Sequence, residues 1–280
     1  MREVLEAVLR AQSEGRASVM LTVVATQGSA PQRPGARMAV LDDGSTVGTI
    51  GGGCLEADMC RRAREALVSG RSVLAAFDLT PDQAGEDGLV CGGRMQVFVE
   101  AVDPVPTLCL FGAGHVALPL ARQAKQVGFR VEVVDDRVAF ANAERFPDAD
   151  RIVVDEFGPG ASRMTLGPNS YVVVVTRGHK GDADALAAVL GRELRYVGLL
   201  GSKVKAVHIM EQLAARGFDS SALSRIHTPV GLSIGAVTPE EIAVSIVAEM
   251  VAVRRGVDPR STASLRMDLP GRLGSLSGRS

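Results

Sequence analysis

The sequence predicts an α/β protein in two parts, an N-terminal α+β domain over residues 1–102 and a domain with a mainly parallel sheet over 107–256. Three observations predict it. From residue 107 onward, short continuously apolar runs such as Tyr171–Thr176 alternate with helical stretches, the pattern of a sheet covered on both faces. The run Thr107–Phe111 leads into Gly112-Ala113-Gly114-His115-Val116-Ala117 and then a helix. That is the strand–turn–helix of a dinucleotide-binding unit, so the second domain is expected to be Rossmann-like. Two prolines in Asp103-Pro104-Val105-Pro106 favour an extended linker over 103–106.

Each element follows in order. MREVLEAVLRAQSEGR predicts an amphipathic helix with Val4, Leu5, Val8 and Leu9 on one face. Ser18–Thr26 is a β-branched strand leading into the loop 27–35. Ala36–Leu41 and Thr46–Ile50 flank Asp42-Asp43-Gly44-Ser45, a hairpin signature. A glycine turn, a helix from Leu55 to Val68, and strands near Val73–Leu79 and Arg94–Val102 complete the first domain. In the second, a helix from about His115 to Val127 precedes strands Val131–Val134, Ile152–Val154 and Tyr171–Thr176. Then come helix Asp182–Gly191, strand Tyr196–Leu200 and helix Val204–Arg216. The last helix, Pro239–Arg255, has proline in its first turn after the cap candidate Thr238. Residues 257–280 are rich in Ser, Gly and Arg and read as a mobile tail.

Composition narrows the function classes. A net charge of -1 over 280 residues gives no basic field for nucleic acid or an anionic membrane, and aromatics at 4% with no tryptophan argue against base-stacking platforms. No apolar run approaches the roughly 18 residues of a spanning helix, and the N-terminus lacks a signal-peptide core, so a cytoplasmic location is the default. The cysteines at 54, 60, 91 and 109 form no CxxC pair, which argues against structural zinc.

Two of those cysteines sit in glycine turns, Gly51-Gly52-Gly53-Cys54 and Cys91-Gly92-Gly93. Glycine brings main-chain N–H groups close to a ligand, and the helix start at Cys54 favours an anionic sulfur. Cys109 reads as a core thiol and Cys60 as packing or surface. In the second domain Gly112 and Gly114 let a pyrophosphate approach the helix N-terminus, with Asp135 and Asp136 about 20 residues on, where an acid binds ribose. His115 is either a phosphate-facing donor or a catalytic histidine. Arg177, His179 and Lys180, with Gly201 and Ser202 after the next strand, occupy the carboxyl edge where open α/β sheets bind ligands, and suit an anion. From the residues alone, an oxidoreductase using NAD(P) and a non-catalytic scaffold both stay open. Neither a convincing catalytic constellation nor an internal repeat is evident.

Several long stretches in fixed order carry more. GSAPQRPGARM (28–38), GTIGGGCLEADM (48–59), VCGGRMQVFVE (90–100), FGAGHVALPLA (111–121), VTRGHKGDADAL (175–186), YVGLLGSK (196–203) and HTPVGLSIGAVTPEEIAVSIVAEM (227–250) together resemble the XdhC/CoxI family of xanthine dehydrogenase accessory proteins. The resemblance implies a maturation factor: a chaperone that binds the molybdenum cofactor, plain molybdopterin or a dinucleotide form. It would support sulfuration of the cofactor and deliver it to a xanthine dehydrogenase-type molybdenum hydroxylase. A cysteine desulfurase is the implied second partner, and a homodimer the base-rate assembly. Cys54, with Cys91, would contact the metal end beside Gly51, Gly52 and Gly53, while the Rossmann-like edge would hold the phosphate end. Where the family commonly carries an acid in its GLxIGA segment this chain has Ser233, so no ligand role carries over to that position.

Overall fold

A computed structural model describes residues 1–78 and 93–261, apart from the His179 side chain. The expected tail beyond residue 261, and Cys91 with Gly92, lie outside the described residues. The chain divides into two compact units, one of Met1–Thr107 with Gly128–Arg130, the other of Leu108–Val127 and from Val131 onward.

The first unit is built from α1 (Arg2–Ser13), β1 (Ser18–Gln27), β2 (Arg37–Leu41), β3 (Thr46–Gly48), α2 (Gly53–Ser69), β4 (Val73–Asp78) and β5 (Arg94–Val102). Its antiparallel sheet has the order β3-β2-β1-β5-β4. Strand alternation sends Val19, Leu21 and Val23 to one face, where they meet Leu55, Met59, Ala63 and Ala66 of α2. Met20, Ala39 and Val47 turn to the opposite face, under Val4 and Val8 of α1. The buried stripe of α1 is Val4, Val8 and Ala11, whereas Leu5 and Leu9 are exposed. The expected face was therefore rotated by about one residue. Val4 and Val8, at i and i+4, are the ones that pack with Ala39.

The second unit contains β6 (Thr107–Phe111), α3 (Ala117–Gln126), β7 (Arg130–Asp135), β8 (Arg151–Val154), α4 (Phe157–Ala161), β9 (Ser170–Val174), α5 (His179–Val189), β10 (Tyr196–Leu199), α6 (Lys203–Ala215), α7 (Ser220–Ser224), β11 (Ile226–His227) and α8 (Pro239–Arg254). They form a parallel six-stranded sheet of order β11-β10-β9-β6-β7-β8, an α/β architecture of Rossmann type. Strands β6, β9 and β10 are buried from end to end, as continuous apolar runs require, whereas edge strand β8 is mostly exposed. Helices α4, α5 and α6 pack in series, and α3 packs with α8. The capping box at α8 is complete: Thr238 Oγ1 accepts from the Glu241 N–H at 3.2 Å, and Glu241 Oε2 accepts from the Thr238 N–H at 3.0 Å.

Two boundaries moved for physical reasons. Helix α3 begins at Ala117 and leaves His115 in the turn, because Gly112 needs φ +111° before the chain can enter a helix. Helix α5 begins at His179, so Asp182 is no cap; it is buried inside the first turn. Strand β11 and the short helices α4 and α7 had no sequence signal.

Candidate functional site

At one end of the first sheet, register places Arg94 between Gln27 and Asp78, while Arg37 stands opposite Thr22 and Gly48 opposite Met38. The connections 28–36 and 49–52 leave from this end. Gly51 lies against the Pro31 ring, where a Cβ would come within 2.5 Å of Cγ. Gly93 lies against the carbonyls of Gln27 and Ser29, which leave no room for a side chain. Gly51, Gly52 and Gly53 have φ of 139°, 75° and 60°, three positive values in succession that only glycine takes without strain.

Glu56 organises this turn. Its Oε1 accepts hydrogen bonds from Thr49 Oγ1 (2.5 Å), the Ile50 N–H (3.0 Å) and the Gly52 N–H (2.9 Å). Burial pulls the Glu56 carboxyl upward, but these bonds outweigh it and hold the group below the usual glutamate range. The protein's own carboxylate thus fills the anion site that the glycines make. The reading of Gly51, Gly52 and Gly53 as donors to a cofactor changes accordingly: the Ile50 and Gly52 N–H groups are taken, and what remains is the uncapped start of α2, where Cys54 stands exposed as a free thiol. Cys109 is buried, with Sγ donating to the Thr165 carbonyl at 3.5 Å, and burial pushes its thiol up. Cys60 is half-buried.

Glu56→Ala is expected to destabilise the first unit by about 1–3 kcal/mol, since it strands buried N–H donors. Glu56→Gln, which keeps an acceptor, should cost less. Because the folded carboxyl lies below its ordinary value, its contribution is present above the usual glutamate range and is lost as pH falls through it. Denaturation followed across that range checks both.

In the second unit the chain crosses from β8 at one edge to β9 beside β6, so the topological switch lies between β6 and β9. The loops after these strands touch. The Val175 N–H donates to the Phe111 carbonyl at 2.8 Å, and a Cβ on Gly112 would come within 2.5 Å of the Val175 carbonyl oxygen. A Cβ on Gly114, by contrast, would meet nothing within 4 Å. Helix α3 starts without a side-chain cap, and His115 is exposed beside it.

The two acids after β7 separate. Asp135 is buried; its Oδ2 accepts from the Ala113 N–H (2.8 Å) and Arg137 Nη2 (2.8 Å), and its Oδ1 from Arg137 Nε (2.8 Å). Burial raises its carboxyl, but Arg137 and the Ala113 N–H more than compensate, leaving it below the usual aspartate range. Occupied in this way, Asp135 clamps the glycine turn and offers ribose no free oxygen, which corrects the sequence expectation for that residue. Asp136 stays accessible and pairs with Arg177 Nη2 at 2.9 Å. As β6 lies between β7 and β9, this pair spans the end of β6 in front of the glycine turn.

Arg177 and Lys180 line a pocket of about 790 Å³ with Asp136, Thr176, Glu156 and Arg216. His179 opens α5 next to them. The buried Asp182 accepts from Thr176 Oγ1 at 2.7 Å and pairs with Lys205, which braces the loops after β9 and β10. Ser202 caps α6, accepting from the Lys205 N–H at 3.3 Å, and Gly201 faces the Lys205 stem. Ser202 is therefore engaged at the helix start. Sequence reasoning missed Glu56, Arg137 and Lys205. Glu56 alone carried a readable signal, an acid four residues beyond a glycine turn at a helix start.

Among the described residues no group of three or more His, Cys, Asp or Glu side chains could hold a metal ion, and no helix is long and apolar enough to cross a membrane.

Comparison with known proteins places these features. Residues 108–250 match the XdhC Rossmann domain, and residues 11–78 match the XdhC and CoxI family. The uncharacterised Escherichia coli K12 protein YqeB is 35% identical over 236 residues, which cover 84% of this chain and 43% of YqeB, so the chain spans less than half of that relative. A probable xanthine dehydrogenase subunit from Bacillus subtilis is 26% identical, covering 90% of this chain and 97% of the relative. The molybdenum cofactor insertion chaperone PaoD of Escherichia coli is 24% identical, covering 90% and 88%. A crystal structure of a xanthine dehydrogenase from Bacillus halodurans superposes with a TM-score of 0.51 at 26% identity, covering 93% of this chain and 98% of that one. With a Rossmann-type sheet, a glycine turn clamped by Asp135 and both family models matched in order, this chain belongs to the XdhC and CoxI family.

Proposed function

We propose that the protein serves molybdenum cofactor maturation: it binds the cofactor, supports its sulfuration and delivers it to a xanthine dehydrogenase-type hydroxylase. The observation that carries this reading is Cys54, an exposed thiol at an uncapped helix start whose neighbouring backbone donors are already filled by Glu56. Glu56 takes the Ile50 and Gly52 N–H groups, and a soft metal finds a sulfur at the start of α2. The donor set fits the cofactor, because a metal held by its own dithiolene needs one protein sulfur rather than a cage of ligands. The bound cofactor would supply the oxo-to-sulfido exchange chemistry at molybdenum. In this reading Cys54 orients the metal end; within the second unit taken by itself, Gly112, Gly114, Arg177 and Lys180 are the residues that would receive a phosphate. Cys91 is assigned to the same end by resemblance alone. A cysteine desulfurase as sulfur donor, a homodimer and a cytoplasmic setting belong to the same proposal. An NAD(P) role is disfavoured by the commitment of Asp135 to Ala113 and Arg137.

Anaerobic purification of the wild type and Cys54→Ala, with metal and pterin analysis and activation of an apo-hydroxylase, tests it. Cys54→Ala should retain at least tenfold less molybdenum with stability unchanged within about 0.5 kcal/mol, as for an exposed side chain. Equal retention and activation would remove the cysteine from the mechanism. A wild type that takes up neither molybdenum nor pterin would overturn the function.

A further inference from the structure

Helix α6 carries an exposed apolar stripe that the function above does not use. Val204 keeps 81% of its surface exposed and Val207 59%. The opposite face of the helix, through Ala206, Ile209 and Leu213, is buried. Beside Val207 lies a hollow of about 420 Å³, lined also by Met210, Thr228 and Pro229. Two charges bracket it: Lys203 stands one turn before Val207 and Glu211 one turn after, and both line the same hollow. Apolar side chains gathered around a hollow and rimmed by charge mark an interaction surface.

Those charges do nothing for their own helix. Lys203 is the first residue of α6, at the end of the helix dipole where a cation is disfavoured. The rise from Lys203 to Glu211 is about 12 Å, too far for the two to pair with each other. Among the described residues neither side chain makes a hydrogen bond or an ion pair. The neighbouring Lys205 is taken by Asp182, and His208 shares a hydrogen bond with Gln212 at 2.8 Å. The stripe thus has an apolar centre with one unpaired charge of each sign, equally far on either side.

That spacing complements itself. When a second α6 lies antiparallel across a two-fold axis at Val207, each position before Val207 meets the one equally far after it. Val207 then meets its own copy, Val204 of one copy meets Met210 of the other, and Lys203 of one meets Glu211 of the other, the last two contacts occurring twice. A parallel pair would instead set Lys203 against Lys203. We propose that α6 is the face through which two copies of this chain associate, antiparallel about Val207, with reciprocal Lys203–Glu211 ion pairs at its ends. This face would join the homodimer named above, so it rests on that part of the proposed function and not on the cofactor. Two short helices bury less than about 1,200 Å², at the low end of specific interfaces, and the dimer should dissociate at concentrations on the order of micromolar.

Sedimentation velocity of the full chain, from low micromolar to millimolar concentration, tests it. The wild type should be a reversible dimer. Lys203→Glu and Glu211→Lys each set like charges together at both ends of the helix pair, and each should weaken the dimer at least about tenfold. Lys203→Glu should leave the monomer no less stable, because an acid suits the first turn of a helix. An equimolar mixture of the two variants should recover a dimer with one copy of each, since every like pair then becomes an opposite one. Both substitutions in one chain should recover it too. Recovery separates an antiparallel register from a mere loss of fold, which mixing cannot repair. A wild type that stays monomeric at millimolar concentration overturns the homodimer and this interface with it. A dimer unmoved by the single reversals overturns the interface and leaves the homodimer standing. So does a mixture that stays monomeric while each variant is folded by circular dichroism.

Discussion

Gly112→Ala is expected to unfold the dinucleotide-type turn, whereas Gly114→Ala two residues away should leave stability nearly unchanged. At Gly112 two penalties coincide. Its φ of +111° lies where an L side chain is strained, costing about 1–3 kcal/mol. The added Cβ would also stand 2.5 Å from the Val175 oxygen and 2.8 Å from its carbonyl carbon. Both atoms are backbone of the neighbouring strand end, so neither can step aside. A further overpacking cost of about 1–3 kcal/mol follows. Together these lower the melting temperature of the unit by roughly 10 °C. Amide exchange localises the effect: peptides spanning 107–116 and 170–178 should exchange much faster, and those of β1 and β5 should not change. At Gly114 a Cβ meets nothing within 4 Å and φ is ordinary, so the cost should stay within about 0.5 kcal/mol. On the proposed function, a phosphate would take the space that a methyl fills there. Gly114→Ala should therefore impair phosphate-end binding in a folded protein, and equal binding by Gly114→Ala and wild type would remove this turn from the ligand site.

Asp135→Ala should be nearly as damaging, for an electrostatic reason. The substitution leaves the Arg137 guanidinium and the Ala113 N–H without their shared acceptor in a mostly buried place, a loss of about 3 kcal/mol. Arg137 is also stacked over Phe140, with its guanidinium carbon 3.7 Å from the ring centroid, so it cannot swing out to solvent without losing that contact. The sign of the pH dependence follows from the depressed carboxyl. Unfolded, Asp135 takes up its proton at the ordinary aspartate value; folded, it resists until lower pH. Its stabilisation is thus complete above the ordinary value and disappears as pH falls through the folded one. Denaturant unfolding from neutral pH down to pH 3 should show wild type and Asp135→Ala converging at the acid end. Parallel curves would mean that Asp135 is not the group responsible.

Local signals carried much of the fold. Apolar strands between helices, the Gly112 turn, the Asp42–Ser45 hairpin and the Thr238 box each act through neighbours within a few residues, so composition and spacing report them directly. What was illegible depends on partners distant in the chain. Leu5 and Leu9 have the right period for burial, yet only the position of Ala39 decides which stripe of α1 is covered. Asp135 and Asp136 are indistinguishable as letters; the N–H of Ala113, 22 residues earlier, takes one and leaves the other. Cys54 was readable as exposed chemistry because glycines announce an open turn. That Glu56 already fills the turn required coordinates. Glu249 gathers donors from 53, 22 and 18 residues upstream, and no window along the sequence contains them together.

The Asp136–Arg177 pair gives the glycine turn a particular kind of access. Its two side chains are 37% and 62% exposed, so it is a surface pair worth about 0–1 kcal/mol, with rotamers that exchange in picoseconds to nanoseconds. A ligand arriving by diffusion meets it open many times during one encounter. A phosphate that takes Arg177 does not create an ion pair but replaces a carboxylate in an existing one, and Asp136 keeps Arg137 Nε at 3.8 Å. The net gain from that arginine is then the difference between two partners. Affinity at this edge should vary less steeply with ionic strength than a count of its cations suggests.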